Sequence, residues 1–365
     1  MSFSLQRAVH ILEKIADRLL RPIRNWIGAS RPIQIVSHGG YGSDRRVVVR
    51  GRVLREPSDS PEPTISDSRW RNFRRMAGLW FTCEIPHAHL RATISGEAFE
   101  IECDDEGYFR SEVNLTSPPP EGWSSFATEV LAADAMPDGT HEGEFLIPPR
   151  DAEFGVISDI DDTIFETGAT KLSLMLKTTL LGNEHTRVIF EGASNFYAAL
   201  ARGPSGDGRN PFFYVTSSPW NLHSFITRLL ELRSFPRGNL FMTDWGIDQA
   251  KFLKLSHTEH KLAVLRELLT AFPDLPFVLI GDSGQHDPEI YAQAVKEFPG
   301  RIRAVYIRDV STAARDEAVR AIHEATEADH EVDLLLCADT SDAAAHALAN
   351  GLIQNSTLTP ASGHR

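Results

Sequence analysis

The chain has few cysteines and few basic residues for its length. Three of its 365 residues are cysteine (Cys83, Cys103 and Cys337). They are too few and too scattered for a disulfide framework or a zinc site, which favours a reducing compartment. The formal net charge of −13 argues against a general nucleic-acid binder, because such proteins are usually basic.

Long apolar runs are also missing. No stretch of about 18 or more apolar residues occurs, so no membrane-spanning helix is predicted. The N-terminus does not have the pattern of a secretory signal, because charged residues such as Glu13, Lys14 and Asp17 interrupt the apolar core. We therefore expect a cytoplasmic protein, and the length predicts two domains.

Residues 1–29 have the pattern of an amphipathic helix. Five basic residues stand against two acids on this segment, in a chain that is otherwise acidic. Two interpretations are open: a helix packed on its own protein or on a dimer partner, or an interfacial helix that attaches the protein peripherally to anionic lipid.

Residues 30–150 read as an all-β sandwich domain, which we expect to be a structural or recruiting module. Turn clusters and a Pro/Ser-rich loop separate short runs of β-branched and aromatic residues. The predicted strands are VVVRGRVL (47–54), LWFTCEI (79–85), LRATISG (90–96), AFEIECDDEGYFRSEV (98–113, with the turn cluster CDDEG inside it) and HEGEFLI (141–147).

From 151 to 351 strands alternate with helices, which predicts a doubly wound α/β domain with a mostly parallel sheet. In such sheets the functional site lies beyond the carboxyl ends of the strands. Residues 352–365 are predicted to be a disordered tail. The strand candidates are FGVIS, FFYVTS, FVLIGD, AVYIRDV and DLLLCA.

The stretch VISDIDDTIF (156–165) places three aspartates at the end of an apolar run. Asp159 and Asp161 share a face of an extended chain. Two carboxylates this close repel each other, and a bound cation would compensate them. Oxygen-only ligands favour magnesium over zinc. A loop of solvated acids is the alternative.

Polar residues follow two further strands. In FFYVTSSPWN, the hydroxyls of Thr216, Ser217 and Ser218 suit phosphate oxygens, although Ser-Ser-Pro is also an ordinary turn. In IGDSGQHDPEIY, Asp282 ends a strand and Asp287 follows, either as a metal-site acid or as the N-cap of the next helix.

A lysine lies on the helix that leads into the second of these strands. Lys261 is either a solvated surface lysine or a charge partner of the acids.

The order of these motifs resembles the series of the haloacid dehalogenase superfamily of phosphatases over about 151–310. DIDDTI, SSPWNL, HKLAVLRELL and GDSGQHDPEIY are similar to the catalytic domain of actin-patch-associated phosphatidate phosphatases, relatives of the lipins. GGYGSDRRVVVRGRVL resembles the start of the β region that precedes this domain in bacterial members. The resemblance covers about residues 33–310 and implies a haloacid-dehalogenase-like fold.

The resemblance also implies roles for the catalytic residues. Asp159 would be the nucleophile that forms an aspartyl-phosphate, and Asp161 the general acid and then base. Thr216 and Lys261 would bind the phosphoryl oxygens. Thr163 is expected near the substrate, more as a support of the loop than as a contact. Asp162 has no assigned role.

The same resemblance implies a Mg²⁺ site. A carboxylate oxygen of Asp159, the backbone carbonyl of Asp161 and the carboxylate of Asp282 would hold the ion. Asp287 would orient metal-bound water or Lys261.

The spacing of the motifs bears on the substrate. Segments 164–215 and 217–260 leave no room for a large cap. An uncapped site suits a phosphate presented on something bulky, such as a lipid in a bilayer or a protein, and the resemblance makes phosphatidate the expected substrate. The apolar segment LSLMLKTTLL (172–181) is either a membrane-dipping element or a core helix. A phosphoprotein or small soluble phosphate is the alternative substrate, and a non-catalytic binding module the alternative class. The oligomeric state is left open.

Overall fold

The computed structural model describes residues 32–55, 83–132, 139–164, 190–243, 257–330 and 332–355, and every statement below concerns these ranges. The helix predicted for 1–29 and the segment 172–181 lie outside them. None of the described helices is both long enough and apolar enough to cross a membrane.

Eight strands form the N-terminal part, here called the β unit. They are β1 (Ile33–Ser43), β2 (Arg46–Arg55), β3 (Cys83–Glu84), β4 (His89–Ile94), β5 (Glu97–Glu102), β6 (Tyr108–Asn114), β7 (Gly122–Ala132) and β8 (His141–Ile147). Alternation dictates which side chains face inward: in β4, Leu90, Ala92 and Ile94 are buried and their neighbours are exposed. Residues from both ends of the unit share one hydrophobic core.

The β unit is one hydrogen-bonded sheet of order β3-β2-β1-β8-β7-β4-β5, with β6 paired to β2. The sequence predicts a sandwich of two separate sheets. The strands described for the β unit form one continuous sheet instead. A short turn links β5 at one end of the order to β6 near the other end, so the sheet must curl around its core. Gly40 permits the tight centre of this arrangement, because a Cβ there would lie 2.4 Å from the carbonyl oxygen of Val48 and 2.9 Å from Cβ of Phe145.

The remainder is the α/β unit. Its strands are β9 (Gly155–Asp159), β10 (Phe212–Pro219), β11 (Gly238–Thr243), β12 (Phe277–Asp282), β13 (Ile302–Arg308) and β14 (Leu334–Cys337). Its helices are α1 (Ala193–Arg202), α2 (His223–Leu232), α3 (His257–Ala271), α4 (Asp287–Glu297), α5 (Ala313–His330) and α6 (Thr340–Ala349), with a 3₁₀ turn at Trp220–Leu222.

The six strands of the α/β unit form a sheet of order β11-β10-β9-β12-β13-β14 in which all the pairings are parallel. Alternate residues of its strands belong to different cores: Val156 and Tyr214 pack with α1, α2 and α6, whereas Ile157 and Phe213 pack with α3, α4 and α5. Helices therefore cover both faces, and the prediction of a doubly wound α/β unit with a parallel sheet is confirmed.

The C-terminal end of this unit lies further along the chain than predicted. Leu352 and Ile353, which the sequence assigns to a disordered tail, are each 2% exposed in the core beside α1 and α6. The packed unit thus extends at least to Ile353, because burying these two apolar side chains stabilises it. Residues 356–365 are outside the described ranges.

The two units pack directly against each other. Tyr41, Val48 and Leu146 of the β unit belong to the same core as α3. The hydroxyl of Tyr41 donates to Glu267, and Ser43 Oγ donates to the carbonyl oxygen of Ala271 over 2.9 Å. A buried apolar contact bordered by hydrogen bonds fixes their relative position.

Candidate active site

The carboxyl ends of three adjacent strands bring the predicted site residues together. Strand β9 lies between β10 and β12, and the register pairs Asp159 with Val215 and Ser158 with Ile280. Thr216 and Asp282, one or two residues further on, therefore lie at the same edge as Asp159. The chain adds β10 and β11 on one side of β9 and β12, β13 and β14 on the other, so the strand order switches sides at β9, and α/β folds build ligand sites at such a switch point.

Asp159 is fully buried and held on both carboxylate oxygens. The ammonium of Lys261, on α3, lies 2.8 Å from Oδ1, and the hydroxyl of Thr163 donates to Oδ2 over 3.1 Å. Lys261 is 3% exposed, so it is a partner of the acids and not a solvated surface lysine. Thr163 supports the carboxylate of Asp159 directly.

Asp287 is the second acid that contacts Lys261. Its Oδ1 lies 2.5 Å from the lysine Nζ, and its Oδ2 accepts the backbone N–H of Asp282 over 3.1 Å. It is the first residue of α4, with His286 at the N-cap position, so its side chain turns toward the acids instead of capping its own helix. Gly281 makes the approach possible, because a Cβ there would lie 2.5 Å from Asp287 Oδ2.

Asp282 is fully buried at the end of β12. Its Oδ1 accepts the backbone N–H groups of Gly284 over 2.8 Å and Gln285 over 3.0 Å. Its Oδ2 is buried and has no hydrogen-bond partner among the described residues. An orphaned buried carboxylate oxygen is costly unless a ligand satisfies it.

The hydroxyl of Thr216 joins the second strand to Asp161. It donates to Asp161 Oδ2 over 2.6 Å and accepts the backbone N–H of Ser218 over 3.0 Å. Ser217 and Ser218 continue β10, where the Thr243 hydroxyl donates to the Ser217 carbonyl oxygen over 2.7 Å. The structure thus places these two serines beside Thr216.

Asp162 has a structural explanation. Its φ is +55°, in the left-handed region that aspartate tolerates better than most residues. Asp162 therefore turns the chain away from the direction of β9.

The electrostatics of the site follow from burying three carboxylates with one ammonium. Burial raises the pKa of Asp159 well above its usual range, Lys261 opposes this, and Asp287 and Asp282 add to it. Burial and then Asp287 raise the pKa of Asp282 to about 7. Burial lowers the pKa of Lys261, but Asp159 and Asp287 outweigh it and the net shift is upward. Negative charge is in excess here.

The donor set fits a hard divalent cation. Carboxylate oxygens of Asp159, Asp282 and Asp287 lie within 4.8 Å of one another, all from buried residues. Asp282 Oδ2 supplies an unused ligand atom. The Asp161 carboxylate is outside this group, and the role predicted for its backbone carbonyl stays a prediction. Oxygen ligands without nitrogen or sulfur suit Mg²⁺ or Ca²⁺.

Two arginines that support the site were not predicted from the sequence. Arg308, at the end of β13, donates to the carbonyl oxygen of Thr163 over 3.1 Å. Arg315, on α5, donates to the carbonyl oxygens of Ser283 over 3.1 Å and Gln285 over 2.8 Å. It thereby holds the loop whose N–H groups bind Asp282. The position of Arg308 at the end of β13 is the one sequence signal for its role.

The part of the sequence that contains this site is similar to known proteins. Residues 154–309 match the family described as phosphatidate phosphatase APP1, catalytic domain. Phosphatidate phosphatase APP1 of Saccharomyces cerevisiae is 31% identical over 211 residues, which are 57% of this chain and 33% of the yeast protein. An uncharacterized protein of Schizosaccharomyces pombe is 28% identical over 220 residues, 58% of this chain and 34% of that protein. The chain spans about a third of the length of these relatives.

One solved structure is matched at low similarity. A carbohydrate acetylesterase from Xanthomonas citri, 11% identical, is matched over 83% of this chain and 75% of its own, with a TM-score of 0.27, which is too low for an argument about fold. The sequence match, in contrast, contains Asp159, Thr216, Lys261, Asp282 and Asp287. Residues 154–309 are thus similar to the catalytic domain described as phosphatidate phosphatase APP1.

Proposed function

We propose that the protein is a Mg²⁺-dependent phosphatase that converts phosphatidate to diacylglycerol at a membrane surface, with a haloacid-dehalogenase-like catalytic unit. The observation that carries the proposal is the arrangement around Asp159. A buried carboxylate at the end of the central strand contacts Lys261 at 2.8 Å, beside the Asp161–Thr216 pair and the two further acids.

In the first step, a carboxylate oxygen of Asp159 attacks phosphorus and the bond from phosphorus to the lipid oxygen breaks. Asp161, protonated, gives its proton to the departing oxygen, so diacylglycerol leaves neutral and an aspartyl-phosphate is formed. The Thr216 hydroxyl, 2.6 Å from Asp161 Oδ2, orients the acid. Lys261 and Thr163 fix the plane of the attacking carboxylate.

In the second step, water attacks the phosphorus of the aspartyl-phosphate. Asp161 takes a proton from this water, the bond from phosphorus to Asp159 breaks, and inorganic phosphate leaves. Together, the two steps return the residues to their starting protonation states. Lys261 offsets the negative charge on the phosphoryl oxygens throughout.

Asp159, Asp282, Asp287 and the backbone carbonyl of Asp161 are the groups that would hold magnesium. When bound, the ion neutralises the carboxylates and draws charge from the phosphoryl oxygens. The orphaned Oδ2 of Asp282 and the excess negative charge of the site support this assignment.

The lipid assignment rests on the family match and on the name of the yeast relative, phosphatidate phosphatase APP1. A peripheral position on the membrane would bring the phosphate of a bilayer lipid to the carboxyl ends of the strands without extraction of the acyl chains.

The test is phosphate release from phosphatidate in mixed micelles and from a soluble aryl phosphate, with Mg²⁺ or with EDTA. We expect Mg²⁺-dependent turnover of phosphatidate. Asp159→Asn should lower it by at least about 10³-fold, because the nucleophile is lost. Asp162→Asn is the matched control, since asparagine tolerates the same left-handed φ. Near wild-type turnover by Asp159→Asn would reject the mechanism, and turnover of the aryl phosphate alone would reject the lipid substrate.

A further inference from the structure

The segment Arg50-Gly51-Arg52 of β2 extends from the β unit into the α/β unit. Residues at i and i+2 of a strand point to the same face, and both guanidinium groups lie between the two units. They are buried, with Arg50 6% and Arg52 4% exposed. The catalytic steps above use neither of them.

Arg52 makes a direct bond to the turn that follows the phosphate-binding residues. Its Nη1 donates to Oδ1 of Asn221 over 3.0 Å. Its Nε donates to the carbonyl oxygen of Glu106 over 2.9 Å, and its guanidinium lies 4.1 Å from the ring centre of Tyr108. The β unit thus fixes the arginine on one side, and the arginine fixes Asn221 on the other.

His38 and Arg50 contact the same part of the α/β unit. The His38 ring stacks on Trp220 with centroids 4.3 Å apart and planes 9° apart. Arg50 donates to the carbonyl oxygen of Leu240 over 3.3 Å. Leu240 lies on β11, whose last residue, Thr243, donates to the carbonyl oxygen of Ser217. The strand end at 216–218 is therefore supported through Trp220–Asn221 and through β11.

Arg50 and Arg52 place charged guanidinium groups in the buried contact between the two units. Apolar side chains would be buried there at a lower cost in free energy. Burial lowers the pKa of Arg50 to about 10, so it remains charged at neutral pH, and burying a guanidinium carries a large desolvation penalty. Hydrogen bonds from a planar guanidinium fix the direction of their acceptor, which an apolar contact does not.

We propose that Arg52 is a positioning residue for the phosphate-binding end of β10, so that the β unit is part of the catalytic unit. The bond to Asn221 anchors the 3₁₀ turn Trp220–Leu222, and the turn holds the Thr216 hydroxyl against Asp161. The inference rests on the proposed function only where it predicts slower catalysis after Arg52 is replaced. The anchoring of the turn by Arg52 does not depend on that function.

The kinetic test uses Arg52→Ala, Arg52→Lys, Asn221→Ala and the double variant Arg52→Ala/Asn221→Ala in the full chain. Arg46→Ala is the matched control, because Arg46 lies on the same strand and pairs with Glu112 at 2.6 Å on the surface. We expect kcat for phosphatidate and aryl phosphate to fall about 10- to 100-fold in Arg52→Ala, with KM within about 3-fold, because small displacements of catalytic groups mainly affect kcat.

The double variant should be no slower than Arg52→Ala, since both changes remove the same bond. Arg52→Lys should recover part of kcat by keeping one donor. Multiplicative losses in the double variant, or wild-type kcat in Arg52→Ala, would overturn the proposal.

A second measurement does not depend on turnover. Hydrogen–deuterium exchange of residues 216–222 should be at least about 10-fold faster in Arg52→Ala than in wild type or Arg46→Ala, because anchored turns open less often. Unchanged exchange would refute the positioning role. A wild-type protein that hydrolyses neither ester would reject the proposed function instead, and exchange would still decide the role of Arg52.

Discussion

The replacement of Lys261 by methionine tests the charge balance of the site. Its ammonium lies 2.8 Å from Asp159 Oδ1 and 2.5 Å from Asp287 Oδ1, and it is the cation within contact of these acids among the described residues. Methionine keeps the length of the side chain and removes the charge. Three buried carboxylates would then face one another without a positive partner.

The expected loss of stability is about 3–5 kcal/mol, the usual cost of removing one partner from a buried ion pair. That is a large part of the 5–15 kcal/mol typical of a folded domain. Urea denaturation in EDTA at pH 8 measures it. Lys296→Met, at an exposed position in the last turn of α4, should change the free energy of unfolding by less than about 0.5 kcal/mol.

A double variant separates the charge argument from simple loss of packing. Lys261→Met/Asp287→Asn has one unbalanced carboxylate fewer, so it should be more stable than Lys261→Met alone, although it carries two changes. If Lys261→Met loses less than about 1 kcal/mol, or if the two changes add, the reasoning about excess negative charge is wrong.

Two further predictions concern the metal site and the contact between the units. Gly281→Ala should lower Mg²⁺ affinity about 10- to 100-fold in calorimetry, because a Cβ 2.5 Å from Asp287 Oδ2 displaces that acid; unchanged affinity would contradict the assignment of Asp287. Burial, and to a smaller extent the charge of Arg50, lowers the pKa of His223 to about 4. As the pH falls, this histidine therefore takes up a proton near pH 6.5 in the unfolded chain but only at lower pH in the folded chain. Through His223, the free energy of unfolding should therefore lose up to about 3 kcal/mol between pH 7 and pH 4, and His223→Asn, unlike the exposed control His89→Asn, should remove this contribution.

The convergence of the catalytic motifs could be predicted because parallel strands bring their carboxyl ends to one edge. Asp159, Thr216 and Asp282 each follow an apolar run, and that pattern was enough to place them together. Lys261 was harder: nothing in its local sequence distinguishes a buried lysine from a solvated one, and only its distance to Asp159 in the folded chain does so.

The supporting residues could not be predicted, because their partners are distant in sequence. Arg52 contacts Asn221 and Arg315 contacts Gln285, and neither arginine stands in a motif. Strands β1, β7 and β11 were also missed. The glycines in IQIVSHGGYGS weaken the strand signal of β1, and GNLFMT is short and begins with glycine.

The strand order of the α/β unit has a consequence for the time at which the proposed site forms during synthesis. Strand β9 emerges first but lies at the centre of the sheet, between β10 and β12. A growing chain therefore carries Asp159 long before Lys261 and β12 are available to surround it. Because such distant pairings must close large loops, the surroundings of Asp159 are complete only after the second half of the sheet has joined. The proposed site is therefore assembled late in synthesis.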